Sequence, residues 1–391
     1  MKPEDIQNTR AGEASRQATG YWAYLPKPLA PELAYSPLLI RLLDEARGTL
    51  GELAGLGRTL PNPWILVRPA VRREAVLSSR IEGTISTLGD LYRYEAEPQD
   101  TAQYADVREV HNYVVALEYG LERLATLPVS LRLIRELHER LMRDVRGDRA
   151  LPGEFRTTQN WIGPPGATLA EATYVPPPVV QMHEALNALE RYLHADTDVP
   201  PLVRLALIHV QFEMIHPFVD GNGRVGRLLI VLLLVHWGLL PQPLLYLSVF
   251  FERYRDDYYR GLLGVSHKGQ WEEWVEFFLR GVREQARDAL ESARVIIDLR
   301  EKYRAMLAGG RTSRITLDVV EELFANPWIS APMIRDRMKV TFRTAQKTID
   351  ALVKLGILRE MTGQRRYRIW QAYDIVQVHS KEAQDTEVKT P

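Results

Sequence analysis

A polar segment of twelve residues, 216–227, lies directly between two strongly apolar helical patterns. It contains one histidine, one aspartate, one asparagine, three glycines and two arginines. Because glycine permits positive φ angles and close backbone approach, we expect Asp220 to Gly223 to form a tight turn. The next helix then opens at Arg224 and continues through the apolar run 228–233. The segment therefore predicts a polar turn between two helices.

The residue types of this turn suit a phosphate chain. A helix N-terminus directs unpaired N–H groups and the positive end of its dipole at one point, where an anion fits. Arg224 and Arg227 lie three apart, hence on one helix face, and their planar guanidinium groups match phosphate oxygens. Asp220 is the only carboxylate, and Mg²⁺ is ordinarily held by one carboxylate plus nucleotide phosphates. His216 has a pKa suited to a general base, so the segment predicts a phosphate-transfer centre.

The alternative is a capped turn between two buried helices, with His216 in the core and both arginines on a solvated face. The whole pattern argues against it, because the segment matches HPFx[D/E]GN[G/K]RxxR at every fixed position. In this motif the chain resembles the Fic family, over about residues 20–300. The resemblance implies a mainly α fold, in which a Fic-type helical core carries a small β-hairpin flap and is followed by a C-terminal winged helix-turn-helix domain.

The resemblance also implies a protein adenylyltransferase, which transfers AMP from ATP, with Mg²⁺, to a Ser, Thr or Tyr hydroxyl. His216 is then the catalytic base and Asp220 the metal ligand. The implied ATP-binding residues are Gly221, Asn222, Gly223, Arg224, Val225, Gly226 and Arg227. Transfer of UMP, phosphocholine or phosphate, and removal of AMP, are alternatives within the fold. A nucleotide-sensing regulator that binds DNA is the alternative from another class.

A second motif lies in a predicted helix over about residues 64–82. Ser78, Glu82 and Gly83 match the fixed positions of [S/T]xxxE[G/N], the inhibitory motif of Fic proteins. The resemblance implies that Glu82 pairs with Arg227, occupies the donor meant for the γ-phosphate and inhibits the enzyme. The alternative is a last-turn glutamate before a capping glycine.

Residues 153–176 resemble the flap on which Fic targets dock. Their β-rich ends and a Gly-Pro-Pro-Gly tip predict a hairpin. A target segment would pair with its exposed edge and place a hydroxyl beside His216. A surface loop is the alternative.

Two observations complicate this interpretation. His209, Glu213 and His216 recur at spacings of four and three, which permits a metal site. Pro217 ends the helix there, however, so the turn explains His216 better. The family commonly places an asparagine at the adenine end, near a position where this chain has Arg253.

The C-terminal part differs in character. Gly309-Gly310 marks a boundary, and residues 311–378 predict two short helices and a hairpin, as in a winged helix-turn-helix. This region has 12 Lys and Arg against 7 Asp and Glu. The recognition helix would present Thr341, Arg343, Thr344 and Lys347, and the wing Arg365, Arg366 and Arg368. DNA binding and protein docking both stay open, and residues 379–391 are predicted to be disordered.

The remaining expectations concern organisation and compartment. We expect an N-terminal helical region over residues 1–125, with residues 1–20 loose, and a catalytic core over residues 126–308. The chain has no cysteine, which excludes disulfides and a cysteine nucleophile, and its 50 basic and 50 acidic residues cancel. No signal peptide or membrane span is evident, so we expect a cytoplasmic protein. Self-modification and a homodimer stay open.

Overall fold

The computed structural model describes residues 1–7, 10–96, 105–145, 151–164, 166–308, 313–363 and 368–378. Within these ranges the chain is mainly helical, as the sequence predicts. The helices before the C-terminal domain are α1 (Pro37–Thr59), α2 (Trp64–Ile81), α3 (Leu88–Ala96), α4 (Ala105–Arg123), α5 (Leu131–Leu141), α6 (Val179–His194), α7 (Pro201–Ile215), α8 (Asn222–His236), α9 (Ser248–Arg253), α10 (Arg255–Lys268) and α11 (Trp271–Ala308). None of the helices described is both long and apolar enough to cross a bilayer.

Helices α7 and α8 form the centre of the core. Most of their side chains are buried, including Leu205, Ile208, Leu229 and Leu232. A helix that is apolar on all sides must be surrounded by other elements. Helices α6, α10 and α11 pack on α7, while α4 and α5 pack on α8. The polar turn between the two helices is therefore held by the most buried part of the molecule.

The N-terminus differs from the expectation of a loose, then helical, region. Strand β1 (Gly12–Arg16) pairs antiparallel with β2 (Trp22–Pro26). Tyr24 on β2 is fully buried, and its N–H donates to the carbonyl of Val175 near the end of the flap. The prediction of a loose segment was wrong because the hairpin is stabilised by a distant part of the chain, which local polarity does not reveal.

Helix α2 has the predicted bounds and is fixed from several sides by α4, α9 and the C-terminal domain. Its buried Glu74 accepts hydrogen bonds from Tyr113 on α4 and from the hydroxyl and N–H of Ser248 on α9. The helix ends before Glu82, and Gly83 follows with a φ of 95°. Glu82 is thus presented at the end of a firmly held helix.

The flap has less strand than the sequence predicts. Its two arms meet in a single antiparallel bridge between Ile162 and Tyr174. Between them, Leu169–Glu171 form a short 3-10 turn in which the Glu171 carboxylate accepts from the N–H and hydroxyl of Thr168. This turn uses residues that a regular hairpin would pair, and Pro165 at the tip lies outside the described residues.

The C-terminal domain is a helix-turn-helix with a small sheet. It consists of α12 (Arg314–Ala325), β3 (Trp328–Ile329), α13 (Ala331–Met338), α14 (Phe342–Lys354), β4 (Arg359–Glu360) and β5 (Trp370–Gln371). The strand order is β3-β5-β4, all antiparallel, and the Thr341 side chain caps the N-terminus of α14. The expectations for Arg365 and Arg366, and for the tail 379–391, fall outside the described residues.

This domain docks on α2. Helix α12 packs along α2, and Glu322 of α12 pairs with Arg68 of α2 at 3.9 Å. Tyr92 of α3 forms a small apolar cluster with Trp328 and Ile369 of the C-terminal domain. Helix α2, which is followed directly by Glu82, therefore packs against both the core and the C-terminal domain.

We expect Glu74→Ala to lower the free energy of unfolding by about 1–3 kcal/mol, because Tyr113 and Ser248 would keep buried donors without their acceptor. Urea denaturation measures this. Glu52→Ala, an exposed change on α1, is the control and should stay within about 0.5 kcal/mol of the parent. Equal effects of the two substitutions would contradict the anchoring role of Glu74.

Candidate active site

The turn between α7 and α8 is closed by its own side chains. His216 follows α7 in a left-handed conformation, with φ 49° and ψ 60°. Asn222, where α8 begins two residues earlier than predicted, accepts from the Phe218 N–H and donates to the Phe218 carbonyl, both at 2.8 Å. Gly221 has a φ of 78°, which a residue with a Cβ rarely adopts. These contacts fix His216 beside the start of α8. Both polar groups of the Asn222 side chain are used in hydrogen bonds within the turn.

The tautomer of His216 follows from its neighbour. Its Nδ1 lies 3.3 Å from the backbone carbonyl oxygen of Glu213, which can only accept, so Nδ1 carries the proton. The lone pair is then on Nε2. Burial lowers the pKa of His216 to about 4, with the charge of Arg156 acting in the same direction and that of Glu82 opposing it. The ring is therefore neutral at pH 7 and suited to accept a proton.

His138 on α5 supports this turn, although no sequence pattern indicates it. The Gly153 N–H donates to its Nδ1 at 2.9 Å, so its Nε2 carries the proton and donates to the Asp220 carbonyl at 3.0 Å. The ring stacks on Phe218 with centroids 3.7 Å apart. Burial lowers the pKa of His138 to about 4, which keeps this link between the flap and the turn uncharged.

The first turn of α8 faces Glu82 across Gly223. A Cβ placed on Gly223 would lie 2.2 Å from Oε1 of Glu82, so the carboxylate rests directly against the helix backbone. Unpaired N–H groups and the helix dipole favour an anion at such a point. The Glu82 carboxylate therefore occupies a place that suits a phosphate.

Arg227 joins both fixed polar side chains of the second motif. Its Nη2 lies 2.7 Å from Glu82 Oε1, and its Nε donates to the Ser78 hydroxyl at 2.8 Å. The Glu82 side chain is 33% exposed, whereas that of Arg227 is 1% exposed. Burial alone would raise the pKa of Glu82, but the charge of Arg227 lowers it overall. The predicted contact between Glu82 and Arg227 is thus present as an ionised pair.

Arg224 is also paired with carboxylates. It is buried and donates to Glu109 on α4, and its Nη2 lies 3.3 Å from Asp220 Oδ1. The sequence gives no reason to single out Glu109, because a glutamate on an amphipathic helix is ordinarily solvated. The two arginines predicted to bind phosphates therefore have different carboxylate partners, although they lie on the same helix.

Asp220 fits the role of a Mg²⁺ ligand in part. Its side chain is 59% exposed, so a cation can reach it, and Oδ1 also accepts from the Gly221 N–H at 2.5 Å. No cluster of three or more His, Cys, Asp or Glu suited to a metal occurs among the described residues. A single carboxylate agrees with a magnesium ion held mainly by nucleotide phosphates.

Val225 and Gly226, two implied ATP-binding residues, face the core. Val225 is fully buried, and its N–H donates to the Gly221 carbonyl. A Cβ on Gly226 would lie 2.4 Å from Glu213 Oε1. They therefore support the site from behind, and of the implied phosphate-binding residues only Gly223 and Arg227 line the cavity described next.

The metal site weighed for His209, Glu213 and His216 does not form. Nδ1 of His209 contacts the Gly226 carbonyl at 3.2 Å, and Nε2 contacts the Tyr258 hydroxyl at 2.9 Å. Both ring nitrogens of His209 are thus hydrogen-bonded within the protein and are not free to bind a metal. Burial raises the pKa of Glu213 to about 8, so this side chain is largely protonated at neutral pH.

A cavity of 530 Å³ joins these features. Its lining includes His216, Gly223, Arg227 and Glu82 at one end, and Trp161, Ile162, Thr173 and Tyr174 of the flap. Tyr258, Tyr259, Leu262 and Leu263 of α10 line another part. Arg253, which stands near the family's usual asparagine position, is not among the lining residues described.

Comparison with protein-family models gives three matches. Residues 40–122 match the Fic/DOC family N-terminal model, residues 128–234 match the Fic/DOC family model, and residues 317–372 match a model for an HTH DNA binding domain. The first two matches contain α2 and the polar turn, respectively.

Relatives and solved structures point the same way. The chain is 28% identical over 204 residues to "Protein adenylyltransferase Fic" of Drosophila grimshawi, covering 50% of this chain and 38% of that protein. It therefore spans well under half the length of such relatives. A Fic family protein from Desulfovibrio desulfuricans G20 shares the fold, with TM-score 0.56, 19% identity, and coverage of 88% of this chain and 98% of that one. Fic-1 from C. elegans has TM-score 0.50 and 21% identity, covering 66% and 74%. The chain thus contains a Fic/DOC family N-terminal domain and a Fic/DOC family domain, followed by a C-terminal helix-turn-helix domain.

Proposed function

We propose that the protein transfers AMP from ATP to a hydroxyl group of a protein. One observation supports this most directly: His216, whose Nε2 carries the lone pair, and Gly223 at the start of α8 line the same 530 Å³ cavity. A base and a phosphate cradle are the two parts that attack by a hydroxyl on phosphorus requires. The name of the Drosophila relative specifies the same reaction.

The reaction proceeds by one substitution at phosphorus. His216 Nε2 accepts the hydroxyl proton while the hydroxyl oxygen forms a bond to the α-phosphorus. The bond from that phosphorus to the bridging oxygen breaks, and pyrophosphate leaves with its electron pair. N–H groups at the start of α8 stabilise the negative charge. Mg²⁺ at Asp220, when bound, supplies further charge neutralisation.

Arg227 orients the leaving group. A guanidinium that binds the outer phosphates holds the triphosphate in line with the attacking oxygen. Glu82 competes for this position, because its carboxylate occupies both Arg227 Nη2 and the space against Gly223. Glu82 is therefore the inhibitory residue in this proposal, and a change that removes its carboxylate activates the enzyme.

The flap receives the target. Trp161 and Ile162 are 42% and 41% exposed and lie along the arm that also lines the cavity. An extended target segment that pairs with this arm brings a Ser, Thr or Tyr side chain toward His216. Self-modification would use the same route, and cytoplasmic location and dimer formation stay predictions.

Two alternatives keep specific support. Glu82 lies in the same cavity as His216, which would also suit an enzyme that positions water and removes AMP. The match to an HTH DNA binding domain, and the exposed start of α14 with Arg343 and Lys347, favour DNA binding as an additional property. Transfer of another phosphate-containing group, such as UMP, phosphocholine or phosphate, is distinguished from AMP transfer by the mass added to the product.

Glu82→Gly should raise auto-modification by labelled ATP at least about tenfold, because a charge-assisted pair of about 1.5–3 kcal/mol no longer competes with the nucleotide. Glu52→Gly on α1 is the control for an exposed glutamate that is distant in sequence from the motif. An unchanged rate would reduce Glu82 to a helix-end residue. Loss of AMP hydrolysis from a modified target would instead favour hydrolytic removal of AMP as the activity that needs Glu82.

His216→Ala in the Glu82→Gly background should lower the transfer rate by about 10²–10⁴-fold, the usual contribution of a general base. ATP affinity, measured by calorimetry, should stay close to that of the parent because the phosphate cradle remains. His194→Ala, at an exposed position on α6, is the matched control. Full activity of His216→Ala would reject the base assignment.

The ring of His216 should remain neutral at pH 6, since burial lowers its pKa to about 4. It therefore gains its proton only as the pH falls toward 4, and the base form persists throughout the neutral range. An NMR titration of the histidine ring signals, assigned with His216→Ala, measures this. A midpoint near the ordinary value of about 6.5 would contradict it.

A further inference from the structure

Arg156 is a buried cation that lies outside the two sequence motifs used in the proposed mechanism. Its side chain is fully buried at the start of the flap. Nε donates to the His216 carbonyl at 3.0 Å, Nη1 to the Thr158 carbonyl at 3.2 Å, and Nη2 to the Pro177 carbonyl. All of its described hydrogen-bond partners are backbone carbonyls.

Such an arrangement depends on the shape of the side chain. A buried charge is costly unless hydrogen bonds satisfy it, and a guanidinium directs its donors in a fixed planar fork. The three carbonyls come from the two arms of the flap and from the catalytic turn. A lysine would supply one nitrogen and could not reach all three in this geometry.

The carbonyl of His216 is a sensitive point of contact. His216 has φ 49° and ψ 60°, a conformation that residues other than glycine adopt infrequently, so its surroundings must hold it there. The backbone N–H of Arg156 also donates to the next carbonyl, that of Pro217, at 2.9 Å. Arg156 therefore donates hydrogen bonds to two successive carbonyls of the turn.

Other contacts join the same two parts. Asn160 donates to the Phe218 carbonyl at 2.9 Å, and the Tyr174 hydroxyl donates to the Met214 carbonyl at 2.7 Å. The flap is thus tied to the residues before and after His216, with Arg156 at the centre. A displacement of one part must move the other.

We propose that Arg156 is a positioning residue, which sets the place of the His216 ring relative to the flap and hence to the target hydroxyl. This inference rests on the proposed AMP transfer. Misplacement of reacting groups by about 1 Å can cost about 10²-fold in rate. Arg156 thus acts on turnover rather than on ATP binding.

Two variants separate the geometry of Arg156 from its charge. In the Glu82→Gly background, Arg156→Lys should lower kcat by about 10–100-fold and leave the KM for ATP within about twofold. Arg156→Gln should do the same and also raise the pKa of His216. Removing Glu82 acts in the opposite sense, because its charge raises that pKa. Glu213 and Arg227 also line the cavity and are unchanged in all variants.

Arg204→Lys is the matched control. Arg204 on α7 also donates to two backbone carbonyls, those of Tyr192 and Ala195, and its contacts among the described residues do not include the turn or the flap. It should lower thermal stability as Arg156→Lys does and leave kcat unchanged. If the two variants lower kcat in proportion to their loss of stability, Arg156 has a general structural role and the proposal is wrong.

Two further measurements do not require activity. In wild-type and Arg156→Lys protein, hydrogen exchange over residues 157–164 and 166–177 should be faster in the variant, whereas Arg204→Lys should leave it unchanged. NMR titration should give a higher His216 pKa in Arg156→Gln. Absence of both effects overturns the positioning role, whereas absence of transfer in the Glu82→Gly parent overturns only the proposed function.

Discussion

The break between α7 and α8 is the constraint on which the rest of the structure depends. Both helices are buried on nearly all sides, so the few residues that join them must satisfy their polar groups within the protein. The Asn222 side chain satisfies the N–H and the carbonyl of Phe218 with two hydrogen bonds. His216 ends α7 in a left-handed conformation, in which its N–H still donates to the Phe212 carbonyl. A polar site in the middle of an apolar core is the direct result.

The site balances the buried positive charge of three arginines with carboxylates and backbone carbonyls. Arg227 is paired with Glu82, Arg224 with Glu109, and Arg156 donates only to carbonyls among its described partners. A cation that binds phosphates needs a partner when the phosphates are absent, because an unpaired buried charge is costly. Glu82 supplies this partner for Arg227 from the end of a separate helix, α2.

The position of α2 connects the site with the C-terminal domain. The helix holds its buried Glu74 between α4 and α9, ends at Glu82, and packs along α12. The interface includes the pair Arg68 and Glu322 and the cluster around Trp328. The motif that contains Ser78 and Glu82 thus lies at the end of α2, and the helix-turn-helix domain contacts the same helix, although the two are distant in the sequence.

Local patterns predicted much of this arrangement. The bounds of α2, the two apolar helices on either side of the polar turn and the contact between Glu82 and Arg227 all agree with the sequence or its motifs. Each depends on short-range spacing or on a motif of fixed residues.

The sequence by itself determined that a glycine-rich polar turn with a histidine, a carboxylate and two arginines joins two buried helices. Only the tertiary structure decided that β1 and β2 form a hairpin, that His138 and Arg156 support the turn, and that Glu109 pairs with Arg224. The physical reason is the separation along the chain over which each kind of interaction acts. Turn chemistry and helix periodicity act between neighbours in the chain. The β1–β2 hairpin depends on a contact with the distant Val175, and the other three pairings join segments tens of residues apart or more, so only the packing of the helices brings them together.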